Sequence, residues 1–131
     1  MRRAAAGMEA LRLAPGLLLT SPLTRCAQTA DIVGERLGVE PVIDERLRPG
    51  MGVSDVADIV AERPGLDELM LCGHQPDLSL LVGDLVGGAF VEFKKGALAD
   101  LDVSSMRPAG ASLSALYPPR ALRRIGDGGA A

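Results

Sequence analysis

Two short stretches hold the residue types best suited to chemistry on an anion: Ser21-Pro22-Leu23-Thr24-Arg25 and Gly73-His74-Gln75-Pro76. A guanidinium matches phosphate oxygens through two parallel hydrogen bonds. At the start of a helix, where unpaired amides and the helix dipole already attract negative charge, an arginine makes sense if an anion is shared. The plainer reading pairs Arg25 with a carboxylate such as Asp31 or Glu45, and position alone favours it slightly. His74 is the single histidine of the chain. Beside a phosphoryl group an imidazole carries positive charge or moves a proton; the plainer reading has it bonded to a carbonyl in its turn. Glu45 is a candidate proton donor above such a pocket, or merely part of the charged run Asp44, Glu45, Arg46 and Arg48. Cys72, two residues before His74, invites a Cys/His nucleophile, but a thiol inside an apolar strand is usually inert. Lys94 and Lys95 read as a solvated cationic turn more readily than as a contact for an acidic partner.

These residues need strands and helices to carry them. Helix formers dominate Arg2 to Leu13, with Ala4, Met8 and Leu11 on one face, and Pro15-Gly16 end that helix. Leu17 to Leu19 then form a short apolar strand of the kind buried on both faces of a parallel sheet. Ser21 and Pro22 are read as the cap and first residue of a helix running to Leu37, with Leu23, Ala27, Ala30, Val33 and Leu37 inward and Gly38 as its stop. Val39 to Ile43, broken by Pro41, reads as an edge strand. Asp44 to Val53 reads as a loop, and Ser54 as the cap of a helix buried through Val56, Ile59 and Val60. Leu69 to Cys72 is another short apolar strand, followed by the turn at His74 and by Asp77 as the cap of a helix containing Leu78, Leu81, Val82 and Leu85. Ala97 to Val103 and Leu113 to Tyr117 read as strands, and the Gly/Ala-rich residues 126–131 as a disordered tail. Strand, turn and helix alternate, so both candidate turns lie at the carboxyl edge of a sheet, where open α/β folds bind ligands.

Composition agrees with a single α/β domain over residues 1–125. The 131 residues are 47% hydrophobic but only 2% aromatic, which suits layers of aliphatic side chains. A net charge of −3 and a pI near 5.1 argue against broad contact with nucleic acid, which needs clustered cations. No apolar run approaches the roughly 20 residues of a membrane span. Two cysteines without a framework of spacing point to a reducing cytoplasm and to no metal site.

Taken together and in this order, the motifs carry a resemblance. Leu19-Thr20-Ser21-Pro22-Leu23-Thr24-Arg25-Cys26-Ala27-Gln28-Thr29-Ala30 is similar to the signature of the histidine phosphatase superfamily, and Gly73-His74-Gln75-Pro76-Asp77 resembles its second histidine motif. Glu45 to Gly50 and Phe93 to Ala97 resemble bacterial SixA-type phosphohistidine phosphatases in particular. The resemblance implies a phosphoglycerate mutase-like fold, a three-layer α/β/α sandwich around a mostly parallel sheet. It implies hydrolysis of phosphohistidine in a protein, or of a small phosphate ester, through a covalent phosphohistidine and without metal or cofactor. By the same resemblance, Arg25 clamps the phosphoryl group, His74 stabilises its charge, and Ser21 opens the anion-binding turn. The family's nucleophilic histidine lies in an Arg-His-Gly motif at the end of the first strand, for which roughly 10 to 25 further residues are needed. That motif is not found, so the expectation is a chain without its first strand and with little or no activity as it stands. A catalytically inactive phosphate-binding or interaction module of the same fold is the alternative. Neither substrate nor oligomeric state follows from these residues.

Overall fold

Leu17–Thr20 (β1) is the middle strand of a parallel sheet, flanked by Pro41–Ile43 (β2) on one side and Leu69–Cys72 (β3) on the other. A computed structural model provides this architecture and describes residues 1–128. The register aligns the carboxyl ends of all three strands, since Thr20 lies opposite both Ile43 and Cys72. One further hydrogen bond continues each pairing: the Ser21 amide donates to the Cys72 carbonyl and the Asp44 amide to the Thr20 carbonyl, both at 3.0 Å. Ser21, Asp44 and Gly73 therefore leave the sheet side by side.

Helices cover both faces because the strands are apolar on both. On one face Arg2–Ala10 (α1), Thr24–Leu37 (α2) and Pro119–Gly126 (α5) enclose Ala4, Ala5, Met8, Leu18, Val33 and Leu122. On the other, Val53–Ala61 (α3) and Asp77–Leu85 (α4) enclose Leu19, Leu47, Val56, Ile59, Leu81 and Leu85. Leu98–Val103 (β4) and Ala111–Tyr117 (β5) form a second, antiparallel sheet. Leu98 and Tyr117 pack on the first cluster with Met70 and Cys72 of β3, and Leu101 packs on the second with Leu69 and Leu71. The two sheets thus lie between the same helical layers, yet β3 and β4 are not hydrogen-bonded to each other.

Several expected boundaries move. α1 ends at Ala10, short of Leu13, and Arg12 takes a positive φ of 60°. α2 starts at Thr24 with Leu23 as its N-cap, so Ser21 and Pro22 precede the helix; Gly38 closes it in the left-handed conformation, as expected. α3 is capped at Gly52, not Ser54, because the Asp55 carboxylate accepts the Gly52 amide at 2.9 Å. Asp77 is the first residue of α4 and not its cap, its carboxylate being engaged elsewhere. Within the Asp44 to Val53 loop, Glu45–Leu47 forms one 3-10 turn that buries Leu47. Arg46 pins this turn to α3 by bonding both Asp44 and Glu62.

Helix α5 was not foreseen. Its Pro118-Pro119 start and short length conceal it, and Leu122 is its one fully buried side chain. Gly126 closes α5 and Asp127 pairs with Arg3 of α1, so the expected tail is part of the fold at its beginning; residues 129–131 lie outside the described residues. Among the described residues no helix is long and apolar enough to cross a membrane.

Candidate active site

Ser21 is fully buried. Its hydroxyl accepts the Leu23 amide at 3.3 Å, and its carbonyl accepts the Thr20 hydroxyl at 3.0 Å. Burial pushes the neighbouring Cys26 thiol up, an effect that Ser21 partly offsets. Ser21 therefore shapes the turn from within, and a ligand at the edge meets backbone and neighbouring side chains in its place.

Three residues past the sheet, α2 opens without any side-chain cap. The first-turn amides of a helix have no partners inside it, so those of Thr24, Arg25 and Cys26 point out from the carboxyl edge. Arg25 is exposed in this first turn. Among the described residues it forms no ion pair, and Glu45, one of the carboxylates that might have neutralised it, is paired with Arg48 at 2.8 Å. The simple surface pairing of Arg25 is thus not what the fold builds. Glu45 itself is on the surface in an i,i+3 ion pair with Arg48.

His74 leaves the adjoining strand β3 through Gly73. Its Nδ1 lies 3.2 Å from Asp77 Oδ2, both side chains being largely buried at 18% and 14% exposure. The same carboxylate oxygen accepts the Gly50 amide at 2.8 Å, which ties the loop after β2 to the histidine. Nε2 is buried and has no hydrogen-bond partner among the described residues. With Nδ1 facing a carboxylate, the neutral ring offers Nε2 as an acceptor and the protonated ring offers it as a donor. A buried polar nitrogen without a partner is costly, and Nε2 is the side-chain polar atom that the described residues leave unsatisfied. Asp77, read from the sequence as a helix cap, is instead the carboxylate that holds His74, a contact that reading missed. The His-x-x-Asp spacing was the available signal, because a turn closed by the Leu78 amide on the His74 carbonyl at 3.1 Å brings residues three apart together.

Gln75 and Ser79 extend the edge. The Gln75 side-chain carbonyl accepts both the Ser79 amide and its hydroxyl, at 3.1 and 2.7 Å, and the Ser79 hydroxyl accepts the Phe93 amide at 3.3 Å. Cys72 lies directly behind His74, and burial pushes its thiol up to about 12. It stays protonated near neutrality and does not serve as a nucleophile.

Comparison with known proteins bears on the fold. Residues 1–52 match the Histidine phosphatase superfamily (branch 1). A structure of the protein histidine phosphatase SixA complexed with tungstate is 21% identical and superposes with a TM-score of 0.79 over 91% of this chain and 78% of that one. The chain has the histidine phosphatase fold. A SixA-type protein from Agrobacterium tumefaciens shares it at 21% identity and a TM-score of 0.71, over 90% of this chain and 77% of that one. So does mycobacterial glucosyl-3-phosphoglycerate phosphatase, at 18% identity and a TM-score of 0.67, over 89% and 84% of the two chains. No curated protein sequence matches the chain. Within the histidine phosphatase fold, the described turns of Arg25 and His74 occupy the ends of adjacent parallel strands, at the edge where open α/β sheets take ligands.

Proposed function

We propose that this edge binds a phosphoryl group and that the chain is the larger part of a phosphohistidine phosphatase-type hydrolase, acting on phosphohistidine in a protein or on a small phosphate ester. The observation that carries this reading is the pairing of an unneutralised Arg25 at an uncapped helix start with a buried, partnerless His74 Nε2 on the next strand. Arg25 clamps the equatorial oxygens and the α2 amides add fixed dipoles, stabilisation that strengthens as negative charge spreads over the group during transfer. His74, held by Asp77, points its second nitrogen at the same charge. Likeness to a phosphatase that holds tungstate, a tetrahedral oxyanion, supports the ligand class.

Covalent transfer needs a second imidazole. The 131 residues contain one histidine, and that one is committed to charge stabilisation. The nucleophile in this scheme is carried by a strand lying between β3 and β4, where both hydrogen-bonding edges are free. Attack forms a phosphorus–nitrogen bond as the bond to the leaving group breaks, and water then releases phosphate. The residues described here bind and stabilise; with two free thiols they suit a reducing cytoplasm. The single histidine equally favours the second reading, a module that captures phosphate without turning it over.

Calorimetric titration with inorganic phosphate tests the shared part. Binding is expected for the wild-type chain and its loss, by on the order of tenfold or more, for Arg25→Ala and for His74→Ala. Hydrolysis of p-nitrophenyl phosphate or phosphohistidine should be weak in the 131-residue chain and appear when an Arg-His-Gly-bearing strand is joined ahead of Met1. Turnover by the short chain that survives His74→Ala would refute the mechanism, and binding without turnover in the extended form would select the capture module.

A further inference from the structure

Helix α5 buries one side and carries a row of cations on the other. Successive residues of a helix are turned by about 100°, so Arg120, Arg123 and Arg124 share one face while the fully buried Leu122 lies on the opposite one. Arg120 and Arg124 are exposed and Arg123 is half-buried. Among the described residues none of the three forms an ion pair. Asp127, the carboxylate that ends this face, is taken by Arg3 of α1.

The folded chain gains little from this arrangement. Like charges three and four residues apart on a helix repel one another, and Arg120, in the first turn of α5, also meets the unfavourable end of the helix dipole. The chain as a whole is negative, with 17 acidic residues against 14 basic ones, so the face is a local reversal of sign. Its place in the fold is fixed by two contacts. Arg36, near the end of α2, pairs with Glu9, near the end of α1, at 2.9 Å, so these helices run the same way and α1 begins toward the carboxyl edge. α5 runs against α1, since Gly7 meets Leu122 and Gly126 meets Arg3. Arg123 and Arg124 therefore lie at the end of α5 that is nearer that edge.

We propose that the arginine face of α5 is a docking surface for an acidic polypeptide segment of a partner protein. Charge complementarity selects an anionic partner, and the size and surroundings of the face select its class. The three arginines are set within about 6 Å along the helix axis, a span that a few carboxylates of an extended segment match, and each guanidinium presents the planar fork suited to a carboxylate. A nucleic acid would need cations spread over a wider surface. An anionic membrane would need apolar side chains beside the cations, and Leu122 is turned into the core. The proposal goes beyond phosphoryl binding and does not depend on it.

Fluorescence anisotropy of a labelled oligo-glutamate peptide tests it on the whole chain. The wild-type chain should bind the peptide at low ionic strength and release it as salt is added. Arg120→Gln combined with Arg124→Gln should weaken binding by about tenfold, the size of two exposed charge contacts, whereas Arg120→Lys with Arg124→Lys should retain most of it. Lys94→Gln combined with Lys95→Gln removes the same net charge and should leave binding nearly unchanged. The glutamine variant of α5 should unfold at the same temperature as the wild type or slightly higher, because repulsion is relieved. Equal losses in the two glutamine variants would reduce the effect to diffuse charge and overturn the proposal, as would absence of peptide binding by the wild-type chain. Tighter binding of a single-stranded DNA oligonucleotide, lost in the same α5 variant, would overturn it in favour of a nucleic acid. Inorganic phosphate titration decides the proposed function separately, and the α5 variant should bind phosphate as the wild type does.

Discussion

At the scale of single residues, environment decides which polar groups act. Arg25 and Arg46 are both arginines close to the carboxyl edge, but Arg46 is spent on Asp44 and Glu62 while Arg25 has no ion pair among the described residues. Cys72 and His74 are neighbours, but only the histidine has a carboxylate to orient it. The thiol carries a prediction of its own. Burial raises it to about 12, whereas an unfolded thiol ionises near 8.5. The fold therefore binds the thiol proton more tightly than the unfolded chain does. That contribution to stability is complete below about pH 8.5 and is lost as pH climbs from there toward 12. Thermal unfolding of the wild-type chain should shift to lower temperature across this alkaline window, and Cys72→Ala should shift less. A thiol reagent at pH 8 should modify the half-buried Cys72 of the folded chain much more slowly than that of the unfolded chain, because so little of the raised thiol is ionised there; equal rates would contradict the shift.

Among elements, the seam between α1 and α5 is the most exacting. Gly7 of α1 sits so close to the Leu122 carbonyl of α5, and Gly126 of α5 to the Arg3 carbonyl of α1, that a side chain at either would overlap backbone. Backbone cannot step aside as a long side chain does, so Gly7→Ala is expected to cost about 1–3 kcal/mol in a denaturant titration. Its helix propensity alone would predict a gain of roughly 1 kcal/mol, so the sign of the change tests the contact. Leu122→Ala, at a position with no exposure, should cost about 2–5 kcal/mol. Neither change touches the carboxyl edge, and phosphate binding by the folded fraction should persist.

For the whole molecule, the open feature lies between the sheets. β3 is entirely apolar, Leu69-Met70-Leu71-Cys72, yet every one of its residues is partly exposed, whereas Leu18 and Leu19 of β1 are buried. β3 and β4 sit between the same helical layers without bonding to each other, so each presents a free row of amides and carbonyls. Amide hydrogen exchange should reveal this. Amides of β3 and β4 on the unpaired side should exchange on the order of tenfold or more faster than those of β1. A strand joined ahead of Met1 should slow them to the β1 rate and raise the unfolding temperature. Uniform protection of β3 in the 131-residue chain would mean that the edge is already satisfied.

Much of this was legible in the residues themselves. Apolar runs of three and four residues, Gly38 as a helix stop and the helical spacing of Val56, Ile59, Leu81 and Leu85 are local signals, and so β1, β3 and the helical layers could be read in order. The motifs around Arg25 and His74 were legible for the same reason, since each is a contiguous turn after a strand. What the residue order could not supply were relations between distant parts: the common register that sets Ser21, Asp44 and Gly73 in one row, the carboxylate of Asp77 turned to His74 instead of capping its helix, the burial of Ser21, and helix α5 closing over α1. Each depends on which groups compete for the same partner once the chain is packed, and that competition exists only in three dimensions.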